Sequence, residues 1–147
     1  MKICHVYVFL KHVYTVSMVE TRDEGFHISV GPIFYVGSLD FLSDEQLGSA
    51  AREAVCRFIY DEADYESMAK KLDVSAKEYG FRSELDFYKK SLLMTVTKTE
   101  SEYEIQPFER IYNRKTEGSI PVDILIKSHI DDVDLGCSIR KALLYCR

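Results

Sequence analysis

A pattern of five residues occurs twice in this 147-residue chain, and the two copies lie 88 positions apart. The matching pairs are Asp44 and Asp132, Leu47 and Leu135, Gly48 and Gly136, Arg52 and Arg140, and Ala54 and Ala142. Each copy follows a short apolar run and an acidic link, and its apolar positions have the spacing of an amphipathic helix. A glycine inside a helix costs about 1 kcal/mol relative to alanine, so we expect each glycine to permit close packing of its helix against the sheet. The pattern predicts two weakly similar halves, each ending in a strand and then a helix; the alternative is two amphipathic helices that share a period and little else.

The remaining segments predict strands grouped in hairpins and helices that do not alternate with them. β-Branched and aromatic runs bounded by turn residues predict strands at Ile3–Leu10, Val13–Thr21, Phe26–Val30, Ile33–Val36, Leu92–Thr97, Tyr103–Phe108 and Ile120–Ile126, with a turn at Gly31-Pro32 and a loop at Glu109–Ser119. Apolar spacing and cap residues predict helices at Ser43–Tyr60, Glu66–Tyr79, Glu84–Lys90 and Asp131–Tyr145. Ser43 and Ser83 are the expected N-caps of the first and third of these helices, and Gly80 is the expected C-cap of the second. This order favours an α+β fold, in which helices pack against a mostly antiparallel sheet. The length favours one domain over residues 1–147.

The composition excludes several classes of protein. Hydrophobic residues make up 46% of the chain, and the net charge is −5 from 19 basic and 24 acidic residues, so the chain is not disordered. Charge-driven binding to nucleic acid needs a basic excess. Lysines and aromatic residues do alternate between Lys70 and Lys90, but acids interrupt them, and two amphipathic helices with lysines at their edges explain the spacing better. We therefore expect no nucleic-acid partner.

The acidic excess is concentrated in one segment, residues 40–66. Its acids are Asp40, Asp44, Glu45, Glu53, Asp61, Glu62, Asp64 and Glu66, and its only bases are Arg52 and Arg57. The segment therefore carries −6, while the rest of the chain is close to neutral. One interpretation is a solvated helix face and loop, and the other is a surface that attracts a basic protein. On the second interpretation, the candidate contacts are Asp61, Glu62, Asp64 and Glu66.

Sequence motifs for catalysis, cofactors and metals are absent. The chain has no P-loop, no G-x-G-x-x-G, no G-x-S-x-G and no H-E-x-x-H, all of which would indicate a particular chemistry. Its four cysteines, Cys4, Cys56, Cys137 and Cys146, form no C-x-x-C pair and no cluster with the four histidines. We therefore expect no catalytic residues, no metal, no cofactor and reduced thiols. The apolar N-terminal run is interrupted by Lys11 and His12, so we expect no membrane segment and a cytoplasmic location.

The chain resembles the immunity proteins of bacterial contact-dependent growth inhibition (CDI) systems, the CdiI family. The resemblance is carried by Tyr79-Gly80-Phe81-Arg82-Ser83, Phe87-x-Lys89-x-Ser91, Ile105-x-Pro107 and Leu135-Gly136-x-x-x-Arg140-x-Ala142-Leu143-x-x-Cys146. In the first half, Leu47-Gly48-x-Ala50-x-x-x-Ala54 is similar to the first helix of the family. The last 70 residues or so match well, and about the first 65 match loosely.

The resemblance implies a small cytoplasmic protein that binds and neutralises the toxin domain delivered by a neighbouring cell. Toxins of this family are commonly nucleases, which are basic around their active sites, so a one-sided acidic surface would suit such a partner. Docking could use charge, or a toxin strand could add to an exposed sheet edge, for which the strand around Pro121 is a candidate. The resemblance fits a monomer or weak dimer. The alternatives are a small enzyme of unrecognised class and a structural or adaptor domain.

Overall fold

The computed structural model describes residues 2–20, 27–57, 65–112 and 117–147. Within these ranges the chain forms seven strands and four helices. The strands are β1 (Lys2–Phe9), β2 (His12–Glu20), β3 (His27–Ser38), β4 (Leu92–Lys98), β5 (Tyr103–Tyr112), β6 (Glu117–Pro121) and β7 (Ile126–Ser128). The helices are α1 (Asp44–Cys56), α2 (Tyr65–Glu78), α3 (Glu84–Lys90) and α4 (Asp132–Leu143).

The strands form one sheet in the order β3-β2-β1-β4-β5-β6, and β7 pairs with another part of β5. Every pairing among the described strands is antiparallel. The predicted α+β class with a mostly antiparallel sheet is therefore confirmed.

Helices cover both faces of the sheet, and β1 shows how its sequence allows this. Cys4 and Val6 of β1 belong to a core shared with α1 and α4, whereas Ile3 and Tyr7 belong to a second, aromatic core shared with α2 and α3. Successive side chains of a strand point to opposite faces, so a strand that is apolar on both faces must lie inside a sheet covered on both sides. The sheet order places β1 in the interior, between β2 and β4.

Helix ends follow the local signals in the sequence. Ser43 caps α1 by accepting a hydrogen bond from the Gln46 N–H, and the Gln46 side chain accepts from the Ser43 N–H in return, which is a capping box. Ser83 caps α3 in the predicted way. Gly80 follows α2 with φ of +89°, a conformation that glycine adopts without steric cost. The predicted caps at Ser43, Ser83 and Gly80 are confirmed.

The two predicted strands Phe26–Val30 and Ile33–Val36 are one strand, and the expected turn at Gly31-Pro32 is wrong. β3 runs through both residues, with Gly31 at φ +83° and irregular register against β2. β3 is the edge of the sheet, where a proline and bulges are tolerated because one side of the strand needs no ladder hydrogen bonds.

The predictions were also wrong for the segment after residue 108 and for the ends of two helices. The expected loop at 109–119 includes the end of β5 and the start of β6, while residues 113–116 lie outside the described ranges. The expected strand Ile120–Ile126 is interrupted, since β6 ends at Pro121 and β7 begins at Ile126. Between them, Gln106 Nε2 donates to the Val122 and Ile124 carbonyls, so these two carbonyls bond to a side chain of β5 and not to its backbone. Helix α1 ends at Cys56 and α4 at Leu143, both short of the predicted ends.

The repeated pattern packs the two helices α1 and α4 against each other. Each glycine lies against the first turn of the other helix: a Cβ on Gly48 would be 1.8 Å from the Asp132 carbonyl oxygen, and one on Gly136 would be 1.8 Å from that of Asp44. The expectation of helix-to-sheet contact at these glycines is therefore wrong, because the close approach is between two backbones of neighbouring helices.

The repeated charges also pair across the two helices. Arg52 Nε donates to Asp132 Oδ1 at 2.8 Å, and Arg140 Nε donates to Asp44 Oδ1 at 2.7 Å. The hydrogen bond that Arg52 donates to Asp132 raises the pKa of the Arg52 guanidinium. Aspartate, glycine and arginine lie four residues apart in each copy, so all three share one helix face. The two weakly similar halves thus meet in a reciprocal contact.

Candidate functional site

A groove of about 520 Å³ lies between α1 and the sheet-edge strand β3. Its helix wall is one face of α1, formed by residues spaced four apart: Glu45, Ser49, Glu53 and Arg57. Spacing by four places these side chains in one row. The helix wall of the groove therefore follows from the amphipathic pattern of α1, whose apolar face is buried.

The groove combines an apolar lining with acidic rims. Phe34, Val36 and Leu42 contribute apolar surface. Glu45 and Glu53 are exposed on the helix wall, and Glu45 forms no ion pair with any residue the structure describes. A partner in this groove would need apolar surface at its centre and basic groups at its edge.

Arg57 is the one base among the described residues that line the groove. Its guanidinium lies over the Phe34 ring, with Cζ 3.9 Å from the centroid, which is a cation–π contact. Its Nη2 also lies 3.6 Å from Glu53 Oε2. These contacts fix Arg57 over the apolar lining and partly neutralise Glu53, so Glu45 contributes most of the unbalanced charge on the helix wall.

The edge of β3 is partly protected against pairing with another strand. The Tyr35 N–H donates to the Tyr79 hydroxyl at 3.3 Å, and the Tyr35 hydroxyl pairs with His12 Nδ1 at 2.8 Å. The bulges in β3 add to this protection, because they disrupt the regular ladder that an incoming strand needs. The other edge, β6, ends at Pro121, and Ile120 in that strand is 52% exposed.

The four residues proposed from sequence as toxin contacts cannot be placed at the groove. Asp61, Glu62 and Asp64 lie outside the described residues, and Glu66 is in the first turn of α2, where its side chain is not described. They remain predictions.

Three other acids of residues 40–66 are engaged within the protein. Asp40 pairs with Lys11, Asp44 with Arg140, and Glu53 with Arg57. These three carboxylates of residues 40–66 are therefore paired with bases of the same chain, and the segment presents fewer unpaired carboxylates than its sequence suggests.

The Cys4 thiol and the Tyr103 phenol, which are buried, and the partly buried Cys146 thiol lie in environments that keep them protonated near neutral pH. Burial raises the pKa of Cys146 to about 11 and raises that of Cys4 further. The Tyr103 hydroxyl is buried without a hydrogen-bond partner among the described residues, and burial raises its pKa as well. A thiolate is the reactive form of cysteine, so neither of these two thiols has the environment of a nucleophile.

No group of three or more His, Cys, Asp or Glu side chains within residues 2–20, 27–57, 65–112 and 117–147 is arranged to hold a metal ion. None of the helices in these ranges combines the length and apolar character needed to cross a bilayer.

The fold has counterparts among solved structures. A protein of unknown function from Neisseria meningitidis superposes with a TM-score of 0.72 at 16% identity, covering 99% of this chain and 95% of that one. A chain of the CdiA-CT/CdiI toxin and immunity complex from Yersinia pseudotuberculosis superposes with a TM-score of 0.70 at 16% identity, covering 99% and 97%. No protein-family model matches the sequence. No curated protein matches it either. The similarity is therefore one of fold.

Proposed function

We propose that this chain is an immunity protein that binds the toxin domain of a contact-dependent growth inhibition system and blocks its activity in the producing cell. The observation that carries the proposal is the superposition on a chain of the CdiA-CT/CdiI toxin and immunity complex, which extends over 99% of this chain and 97% of that one. The protein would act in the cytoplasm as a monomer or weak dimer, as a binding protein without catalytic activity.

The groove beside α1 supports a basic partner. Its exposed Glu45 and Glu53 flank an apolar lining, and the whole chain carries −5. A nuclease toxin must present basic residues to bind phosphate, so opposite charges would speed its association with this protein. Addition of a toxin strand at β6 is the second docking mode, supported by the exposed edge there.

Co-expression tests the proposal directly. If the gene immediately upstream encodes a large exoprotein, as the proposal requires, the C-terminal toxin domain of that exoprotein is induced in cells with or without this protein. We expect cells to survive only when this protein is present, and the purified pair to form a complex. Equal killing in both cultures would exclude the immunity function, and an unrelated toxin domain serves as the specificity control.

Charge reversal in the groove is expected to slow association with that toxin domain. Replacing Glu45 and Glu53 with lysine should lower the association rate constant about tenfold at low salt, and the effect should shrink at 0.5 M salt because screening weakens steering. Stopped-flow mixing measures the rate. A double variant of exposed acids elsewhere, Glu78→Lys with Glu109→Lys, makes the same change in net charge and should have a much smaller effect.

The sequence-derived candidates can be tested in the same way. Reversal of Asp61, Glu62, Asp64 and Glu66 to lysine should slow association if these acids face the toxin. An unchanged rate for this variant, alongside a slowed rate for the groove variant, would assign the steering to the groove alone.

A further inference from the structure

Two turns lie side by side at one end of the sheet. The turn between β1 and β2 consists of Leu10 and Lys11, and the turn between β3 and α1 includes residues 39–41; together they are called the tip. The Leu39 N–H donates to the Lys11 carbonyl at 2.8 Å. Lys11 Nζ pairs with Asp40 Oδ2 at 3.2 Å. These contacts join the two turns into one surface.

Leu10 has an unfavourable backbone conformation, and its side chain makes too little contact within this protein to compensate for it. Leu10 and Lys11 have φ of +48° and +66°, and Phe9 pairs directly with His12, so the hairpin has the two-residue type I′ geometry that favours Asn-Gly. A leucine with positive φ carries a steric cost, because its Cβ lies too close to the following carbonyl oxygen. Its side chain is 76% exposed, so burial within this protein does not offset that cost. Strain of this kind is typical of functional positions.

Phe41 is also exposed, in a turn that is held firmly. Its side chain is 89% exposed. The N–H groups of Phe41 and Leu42 both donate to the Ser38 carbonyl at 3.0 Å, and the Arg140 guanidinium donates to the carbonyls of Leu39 and Leu42. A large aromatic side chain on a rigid turn loses little entropy when it is buried in a complex, which is the property of a binding anchor.

The tip continues into the acidic groove. Leu42 directly follows the tip and lines the groove. Glu45, in the first turn of α1, also lines the groove. A protein that covers both surfaces needs basic residues opposite the groove and an apolar pocket opposite the tip. Resting on the function proposed above, we propose that Leu10 and Phe41 are anchors that enter an apolar pocket on the basic toxin domain docked in the groove.

Leu10→Asn provides a test in which stability and binding move in opposite directions. Asparagine tolerates positive φ, so the variant should have an unchanged or higher melting temperature, while its Kd for the purified toxin domain should rise at least tenfold. Phe41→Ser should weaken binding by a similar factor. Leu85→Asn is the matched control, because Leu85 is a 54% exposed leucine on α3, which packs on the sheet face opposite α1, and it should leave the Kd unchanged.

The outcomes separate this inference from the proposed function. If the unmodified protein does not bind the toxin domain, the proposed function fails. If the unmodified protein binds the toxin domain and both tip variants bind it as tightly as the unmodified protein does, Leu10 and Phe41 are not binding anchors, but the proposed function is still supported. Light scattering gives a third outcome: if the unmodified protein self-associates and the tip variants abolish this without changing the Kd, the tip contacts a second copy of the chain and the proposal is overturned.

Discussion

Gly136→Ala is expected to lower the free energy of unfolding by about 3 kcal/mol, a large loss for the addition of one methyl group. The new Cβ would lie 1.8 Å from the Asp44 carbonyl oxygen and 2.5 Å from the carbonyl carbon. Both atoms belong to the backbone of α1, so no side chain can rotate to relieve the contact and the helices must separate. Separation would also weaken both Arg–Asp ion pairs between them.

Gly118→Ala is the control, because no atom lies within 4 Å of the Cβ position there. Urea unfolding should place Gly118→Ala within about 0.5 kcal/mol of the unmodified protein. Gly48→Ala should resemble Gly136→Ala, since its Cβ meets the Asp132 carbonyl oxygen at the same distance. The double variant should lose less than the sum, because one separation of the helices makes room for both methyl groups. A Gly136→Ala variant as stable as Gly118→Ala would contradict the close packing described here.

The two glycines also show what the sequence could and could not predict. Their spacing from aspartate and arginine identified two similar helices and a close contact on one face of each. It did not identify the neighbour, because periodicity defines which face is buried and not what lies against it. The correct neighbour depends on the sheet bringing residues 88 apart together, and that is a property of topology.

Local signals predicted local structure well and long-range pairing poorly. Ser43 and Ser83 fixed their helix starts because a cap acts on N–H groups two or three residues away. The proline and glycine of β3 were misinterpreted as a turn because their tolerance depends on the strand being at the sheet edge. The charge excess of residues 40–66 was overestimated as free surface, since Asp44 pairs with Arg140, 96 residues away.

The candidate site shows the same difference between local structure, which the sequence predicted, and long-range packing, which it did not. Amphipathic spacing in α1 predicted the exposed row that became the groove wall, but the opposite wall comes from β3 and required the tertiary fold. Leu10 continued the strand alternation of β1 and was predicted to lie in that strand. Its positive φ and exposure follow from the two-residue turn that the pairing of Phe9 with His12 imposes.

Arg140→Lys is expected to destabilise the protein by about 2 kcal/mol, more than the equivalent change at Arg52. Both arginines pair with an aspartate of the other helix, but Arg140 also donates to the Leu39 and Leu42 carbonyls. The further bonds of Arg52 are both 3.3 Å long, and they go to the second oxygen of the same aspartate and to the Ser49 hydroxyl within α1, so none of them reaches a backbone carbonyl. A lysine keeps the charge and loses the planar fork that reaches several acceptors at once, and each charge-assisted hydrogen bond contributes about 1.5–3 kcal/mol.

The difference between the two arginines links the repeat to the tip. The halves are equivalent where the helices cross, and they differ where Arg140 extends to the turn that presents Phe41. Arg140→Lys should therefore weaken binding to the proposed toxin partner as well as stability, whereas Arg52→Lys should leave the Kd for that partner within about twofold. Urea unfolding and titration calorimetry on both variants measure the two effects. Equal losses of stability, or equal Kd values, would show that Arg140 serves only the contact between the helices and that the tip is held by its own backbone hydrogen bonds.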